Sequence, residues 1–192
     1  MIAGVVLAAG GASRFGSPKQ LANLDGVPLL QHAVDAMLAV PAIARTVVVL
    51  GARADEVGRA VAFRGAEPVV CEAWEDGMAA SLRCGVEAVG DCDWVIVTLG
   101  DQPRVTPQVI AAVVDHAVSA PAGTTAVRAT YDGVPGHPVA LGRAMLRGVA
   151  QLSGDVGARE LLSGATVRTF EAAGLCDPAD VDTPEELEAL RT

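Results

Sequence analysis

A glycine-rich loop bearing two cations stands directly behind the first apolar run of the chain. Leu7 to Leu21 reads LAAGGASRFGSPKQL and holds three glycines together with Ser13, Arg14 and Lys19. Glycines in such a loop let backbone N–H groups approach phosphate oxygens, and ligands of open α/β sheets bind beyond the carboxyl ends of the strands. The spacing excludes two familiar phosphate loops. Gly11 and Gly16 stand at the Walker distance, but Ser17 occupies the place of the required lysine, and no G-x-G-x-x-G is present. Lys19 is the single lysine of a chain with 13 arginines. Arginine offers a rigid bidentate fork, whereas lysine is a compact charge on a mobile stem that can follow charge developing in a reaction. The plainer reading of the same stretch is a surface loop with solvated charges.

Further along the chain, several residues could converge on that loop. Asp101 lies just past the apolar run Trp94–Leu99, so its carboxylate would project into the same crevice. Its plain alternative is a turn residue before Pro103, and for Asp182 it is a helix-start residue beside Thr183. Gly77 to Ser81 opens a helix in which Met78, Leu82, Val86 and Val89 form an apolar stripe, so Met78 reads first as core. His137 stands between Gly136 and Pro138, where a turn role competes with ligand binding. Arg159 could meet an anion or pair with Glu160 or Asp155. His32 and His116 fall on helical stretches and look structural.

The elements that must position these residues alternate. Strands are expected over 2–7, 45–50, 67–71 and 94–99, with helices over about 28–39, 53–62, 77–89 and 107–118. That alternation implies right-handed βαβ units and an open, mostly parallel sheet with helices on both faces. Pro28 and Pro107 fit first-turn positions, and Thr106 can cap the later helix. The last third predicts strands at Thr124–Ala129, Pro138–Leu141 and Ala165–Phe170 and a helix over Val156–Leu162. Thr183-Pro184-Glu185-Glu186 reads as a capping box.

Composition bounds the rest. The 192 residues fit one α/β domain, and with 51% hydrophobic but only 3% aromatic residues its core must be built from Ala, Val and Leu. A net charge of −9 argues against a nucleic-acid binder, which needs a basic face. The first apolar run ends at Leu7 without a charged leader, which predicts a cytoplasmic protein with no membrane segment. Cys71, Cys84, Cys92 and Cys176 show no C-x-x-C spacing and read as buried or incidental thiols.

With these segments in view, the chain resembles the MobA-like nucleotidyltransferases, and within them the molybdenum cofactor cytidylyltransferases. That family opens with L-A-[AG]-G-x-S-x-R-x-G-x-x-K; here Leu7, Ala8, Ala9, Gly10, Ser13, Arg14, Gly16 and Lys19 match, with one extra residue before Ser13. The similarity continues through Gly26 to Leu30, Trp74 to Leu82, Gly100-Asp101-Gln102-Pro103, Gly136-His137-Pro138, Gly154 to Arg159 and Asp180 to Pro184. It implies a Rossmann-like three-layer α/β/α fold in one domain, 1–192, with the nucleotide held by about 1–105 and the acceptor by about 106–192.

By resemblance, an acceptor phosphate attacks the α-phosphorus of CTP or another NTP and pyrophosphate leaves. Arg14, Lys19 and Asp101 are then the catalytic residues, and Asp101 and Asp182 the ligands of Mg²⁺. Leu7, Ala8, Ala9, Gly10, Gly11, Ser13, Arg14, Lys19, Gly77, Met78 and Ser81 contact the nucleotide. His137 and Arg159 contact a molybdopterin-type acceptor, and a molybdenum hydroxylase apo-enzyme is the partner such chemistry suggests. Ala9 favours CTP, because the guanylyl branch has glycine there and a methyl crowds a purine; one methyl is worth only about 1–3 kcal/mol. Competing readings keep the fold with another phosphorylated acceptor, make the chain an oxidoreductase of the nicotine blue oxidoreductase type, or make it a non-catalytic cofactor carrier.

Overall fold

The buried strands of this chain are continuous apolar runs, as a sheet covered on both faces requires. A computed structural model describes residues 1–11, 15–154 and 158–191, with side-chain detail resuming at 161. Its main sheet contains β1 (Ile2–Ala8), β4 (Arg45–Leu50), β5 (Glu67–Val70), β6 (Trp94–Leu99), β7 (Ala126–Tyr131), β8 (Val134–Gly142) and β9 (Val167–Glu171). A small hairpin is formed by β2 (Asn23–Leu24) and β3 (Val27–Pro28). The helices are α1 (Leu29–Leu38), α2 (Ala54–Ala60), α3 (Met78–Val89), α4 (Pro107–Val118), α5 (Arg143–Val149), α6 (Ala158–Ser163) and α7 (Pro184–Ala189).

The main sheet runs in the order β5-β4-β1-β6-β8-β7-β9. All of its neighbours are parallel except where β8 meets β6 and β7. The chain leaves β1 towards β4 and β5 and then crosses to β6 on the other side. The crevice between the ends of β1 and β6 is therefore the switch point at which α/β sheets bind ligands. The reversal of β8 comes from a two-residue turn. Asp132 and Gly133 both take positive φ, +50° and +77°, as such a hairpin requires. Glu171 accepts both of their backbone N–H groups, at 3.0 and 3.1 Å.

Strand alternation divides the core into two layers. Val6, Val48 and Ile96 face α1 and α4, through Leu30, Val34, Val109 and Val113. Val5, Val47, Val49 and Val97 face α3 and α5, through Leu82, Val89, Met145 and Val149. The three-layer α/β/α architecture expected from the sequence is thus observed. A third, smaller cluster brings Val181 and Leu187 from the end of the chain onto Leu24 and Leu29.

Several local expectations are corrected. Pro28 is the residue before α1, with ψ of 141°, and it belongs to the β2–β3 hairpin; Pro107 does open α4, where Thr106 accepts from Val109 N. The last-third strands are displaced, beginning at Ala126, Val134 and Val167. Helix α5 went unseen because no side chain caps its start. The capping box at Thr183 and Glu186 is formed as expected. The four cysteines are free, Cys71 and Cys92 buried and the others partly so.

Gly85 shows how closely α3 lies on the sheet. A Cβ there would stand 2.6 Å from Val5 Cγ1 and 3.0 Å from Val49 Cγ2. Helix propensity alone predicts that Gly85→Ala stabilises by about 1 kcal/mol, whereas overpacking against two stiff valines predicts a loss of about 1–3 kcal/mol. We expect packing to win, so urea unfolding should show the variant less stable. A more stable variant would mean that α3 can ride up without cost.

Candidate active site

Three chain segments far apart in sequence meet at one cation. The loop after β1 ends in a short turn of 3₁₀ helix, Lys19–Leu21, anchored by Gln20. The Gln20 amide, almost fully buried, donates to the carbonyls of Ala8 and Gly10, both at 2.9 Å, and so ties the two ends of the loop together. Asp101 follows β6. Asp182 arrives from the far end of the chain because Val181 N donates to Asp101 O at 2.9 Å and the Val181 side chain is fully buried. Lys19 Nζ then donates to Asp101 Oδ2 at 2.6 Å and to Asp182 Oδ1 at 2.7 Å. Burial pulls the ammonium's pKa down, but Asp101 and Asp182 more than offset it, and the net displacement is upward. The site therefore holds a permanent cation between two carboxylates.

Beside this triad opens a cavity of about 340 Å³. It is lined by Leu7, Ala9, Gly10, Gly11, Gly77, Met78 and Ser81, all anticipated as nucleotide contacts, together with Trp74, Glu75, Leu99 and Asp101. Ala8 is not among the lining residues. Strand alternation turns its methyl to the opposite layer, near Gly100, where an added Cβ would come within 2.9 Å of it. Met78 is corrected in the other direction: it is exposed rather than core and lies on the cavity wall. The backbone bends sharply into α3 at Gly77, whose φ is +99°. Trp74 forms the remaining wall and packs so closely that a Cβ on Gly51 would stand 2.6 Å from its own Cβ. Ser13 and Arg14 lie outside the described residues. So do Asp155, Val156 and Gly157, and of Arg159 only its place in α6 is described.

A second cavity of about 410 Å³ shares Leu99 with the first. His137 lines it, as anticipated for the acceptor, and so do Arg128, Gln102, Tyr131 and Asp180. Desolvation first, and the Arg128 guanidinium second, push the His137 pKa down to about 4, so its imidazole is neutral near pH 7. The described cation of this pocket is Arg128 on β7, which also donates to Gly136 O at 3.3 Å. The sequence signal was an arginine inside an otherwise apolar strand, VRAT. Burial, with the Asp101 charge next, holds the Asp180 carboxyl above the usual carboxylate value. Asp180 and Gln102 both stand within motifs already singled out, but only the fold shows that they face this pocket.

The donor set fits a hard divalent cation. Among the described residues Asp101 Oδ1 is buried with no hydrogen-bond partner, while Asp101 Oδ2 and Asp182 Oδ1 meet at the Lys19 ammonium. Among the described residues no group of three or more His, Cys, Asp or Glu is placed to hold a metal ion. Two carboxylates leaving the remaining positions to phosphate oxygens and water is the usual magnesium arrangement. Among the described residues no helix is long and apolar enough to cross a membrane.

A switch-point crevice with a glycine loop, a helix N-terminus and a carboxylate–ammonium cluster defines a nucleotide-handling α/β protein. The chain belongs to the MobA-like NTP transferase family, whose model matches residues 4–170. It is 31% identical to nicotine blue oxidoreductase of Paenarthrobacter nicotinovorans over 199 residues, covering 98% of this chain and 96% of that protein. It is 33% identical over 131 residues to 2-C-methyl-D-erythritol 4-phosphate cytidylyltransferase of Cereibacter sphaeroides, 65% of this chain and 57% of that one. Among solved structures, Rv0371c of Mycobacterium tuberculosis H37Rv superposes with a TM-score of 0.88 at 33% identity, covering 98% and 96% of the two chains. A manganese complex of Rv0371c is similarly close, with a TM-score of 0.84. The chain therefore stands in a nucleotidyltransferase family with a cytidylyltransferase among its relatives.

The neutral state of His137 has a measurable cost. Its pKa lies below the unfolded value of about 6.5, so the unfolded chain binds the extra proton between pH 6.5 and 4. Stability from this group is complete above pH 6.5 and is lost as pH falls towards 4. His137→Gln should remove that dependence, flattening the stability curve in this window by at most about 1.4 kcal/mol per pH unit. Urea titrations of both proteins from pH 7 to 4 measure it. Parallel curves would mean that His137 titrates normally.

Proposed function

We propose that this chain is a divalent-metal-dependent nucleotidyltransferase that moves a cytidylyl group from CTP to the terminal phosphate of a molybdopterin, releasing pyrophosphate. The observation that carries the reading is the pairing of two cavities that share Leu99, one walled by the glycine loop, the start of α3 and Asp101, the other by Arg128 and His137. The first accommodates a nucleoside triphosphate, with the base against Ala9, Gly77, Met78 and Ser81. The second accommodates the acceptor, whose phosphate Arg128 would hold. His137, being neutral, offers a hydrogen bond rather than a charge.

In this reading, an oxygen of the acceptor phosphate attacks the α-phosphorus, the bond from that phosphorus to the bridging oxygen of the β-phosphate breaks, and pyrophosphate departs with the electron pair. Holding both reactants in line makes the step effectively unimolecular. Lys19 and Arg14 would stabilise the charge that develops on the phosphates. Mg²⁺ held by Asp101 and Asp182 would supply Lewis-acid neutralisation of the phosphate oxygens. The nucleotide part extends over about 1–105 and the acceptor part over about 106–192, with Asp182 reaching back across the division. A molybdenum hydroxylase apo-enzyme is the natural recipient of such a product, and a cytoplasmic setting suits it.

A second reading is favoured by one observation, the similarity over nearly the full length of both chains to nicotine blue oxidoreductase. Under that reading the glycine loop would bind the phosphates of a redox dinucleotide instead of a triphosphate.

The first reading is tested by incubating the protein with Mg²⁺, molybdopterin and equal concentrations of CTP and GTP while pyrophosphate and products are measured. Ala9 leads us to expect a cytosine dinucleotide in at least about tenfold excess over the guanine one. Preference for GTP would move the chain to the guanylyl branch, and absence of pyrophosphate with any nucleotide would remove the proposal.

A further inference from the structure

We infer that Lys19 is an internal placeholder for the metal ion, so that divalent metal and nucleotide triphosphate enter the site as a coupled pair. The inference rests on the site proposed above but not on the identity of its acceptor. Two of the three donors of the Lys19 ammonium point at Asp101 Oδ2 and Asp182 Oδ1, at 2.6 and 2.7 Å. Those are the carboxylates that suit a divalent cation. The side chain of Lys19 is only 13% exposed, so its charge is held between them rather than solvated. An ammonium and a metal ion cannot both lie between the same two carboxylates without close like-charge repulsion.

A metal ion entering between Asp101 Oδ2 and Asp182 Oδ1 of the nucleotide-free protein therefore breaks both charge-assisted hydrogen bonds of Lys19. Another carboxylate near enough to feel this ammonium is Asp180. A triphosphate in the neighbouring cavity changes the balance, because the displaced ammonium then has phosphate oxygens to move to on its mobile stem. Metal and nucleotide each make room for the other, and the free energy of that coupling is reciprocal. When no substrate is present, Lys19 offsets one of the two negative charges of the carboxylate pair.

The test measures Mn²⁺ binding to nucleotide-free protein, reading free Mn²⁺ by electron paramagnetic resonance, so that neither acceptor nor turnover is involved. Lys19→Gln removes the ammonium from between Asp101 Oδ2 and Asp182 Oδ1 and should bind Mn²⁺ about 10- to 100-fold more tightly than the wild type. Lys19→Arg keeps the charge and should bind as weakly as the wild type. Equal or weaker binding by Lys19→Gln would overturn the inference, as would tight binding by Lys19→Arg. Because Lys19 is the single lysine of the chain, ¹⁵N-lysine labelling of the wild type supplies a check that needs no variant. Its one side-chain ammonium signal should move when Mg²⁺ and α,β-methylene CTP are added together, and a signal unmoved at saturation of both would contradict the exchange. Failure of cytidylyl transfer would leave the Mn²⁺ readout intact, so the two proposals fall separately.

Discussion

The ammonium of Lys19 gathers this site, because it ties the first loop, the end of β6 and the returning C-terminal segment to one point. Two carboxylates this close would repel one another without a cation between them. With the cation in place, Asp101 and Asp182 are fixed to within hydrogen-bond tolerance although they lie 82 and 163 residues from Lys19. The backbone bond from Val181 N to Asp101 O and the burial of Val181 against Leu24 and Leu29 reinforce the same convergence. Position, charge and backbone pairing thus agree on one place in the crevice.

The rest of the fold serves that crevice by leaving room in it. Gly85 lets α3 lie close to β1 and β4, and Gly51 admits Trp74 to the cavity wall. Gln20 ties its own segment to the carbonyls of Ala8 and Gly10, where the glycine loop leaves β1. On the other side of Leu99, the hairpin from β7 to β8 carries Arg128 and His137 to a second cavity. A neutral imidazole beside a guanidinium is the expected outcome there, since burying a second positive charge would add both desolvation and repulsion.

Much of this was legible in the sequence wherever one physical factor dominated locally. Runs such as VVVL and WVIVTL are long enough and apolar enough to require burial on both faces, so β1, β4 and β6 fell at or within a residue of their expected bounds. Thr106 and Thr183 marked the starts of α4 and α7 because their side chains satisfy orphan N–H groups. Where two factors compete, the sequence misled. Met78 has the spacing of a core residue but sits on the first turn of α3, where the helix emerges at the cavity, and is exposed. Ala8 lies inside the loop motif, yet strand alternation turns its methyl to the layer opposite the first cavity. The Lys19 pairs and the pocket roles of Arg128 and Asp180 required the tertiary fold, since nothing local brings these residues near one another.

The central claim is that this crevice delivers the α-phosphorus of a nucleotide to a neighbouring phosphate. The most direct measurement follows two samples of CTP, one carrying ³²P at the α-position and one at the γ-position, through incubation with Mg²⁺ and molybdopterin. The account predicts that the α-label appears in the acceptor product and that the γ-label leaves entirely as pyrophosphate. Transfer of the γ-label would make the protein a kinase. Absence of any transfer, combined with redox turnover of nicotine blue, would make it an oxidoreductase on this fold and contradict the account.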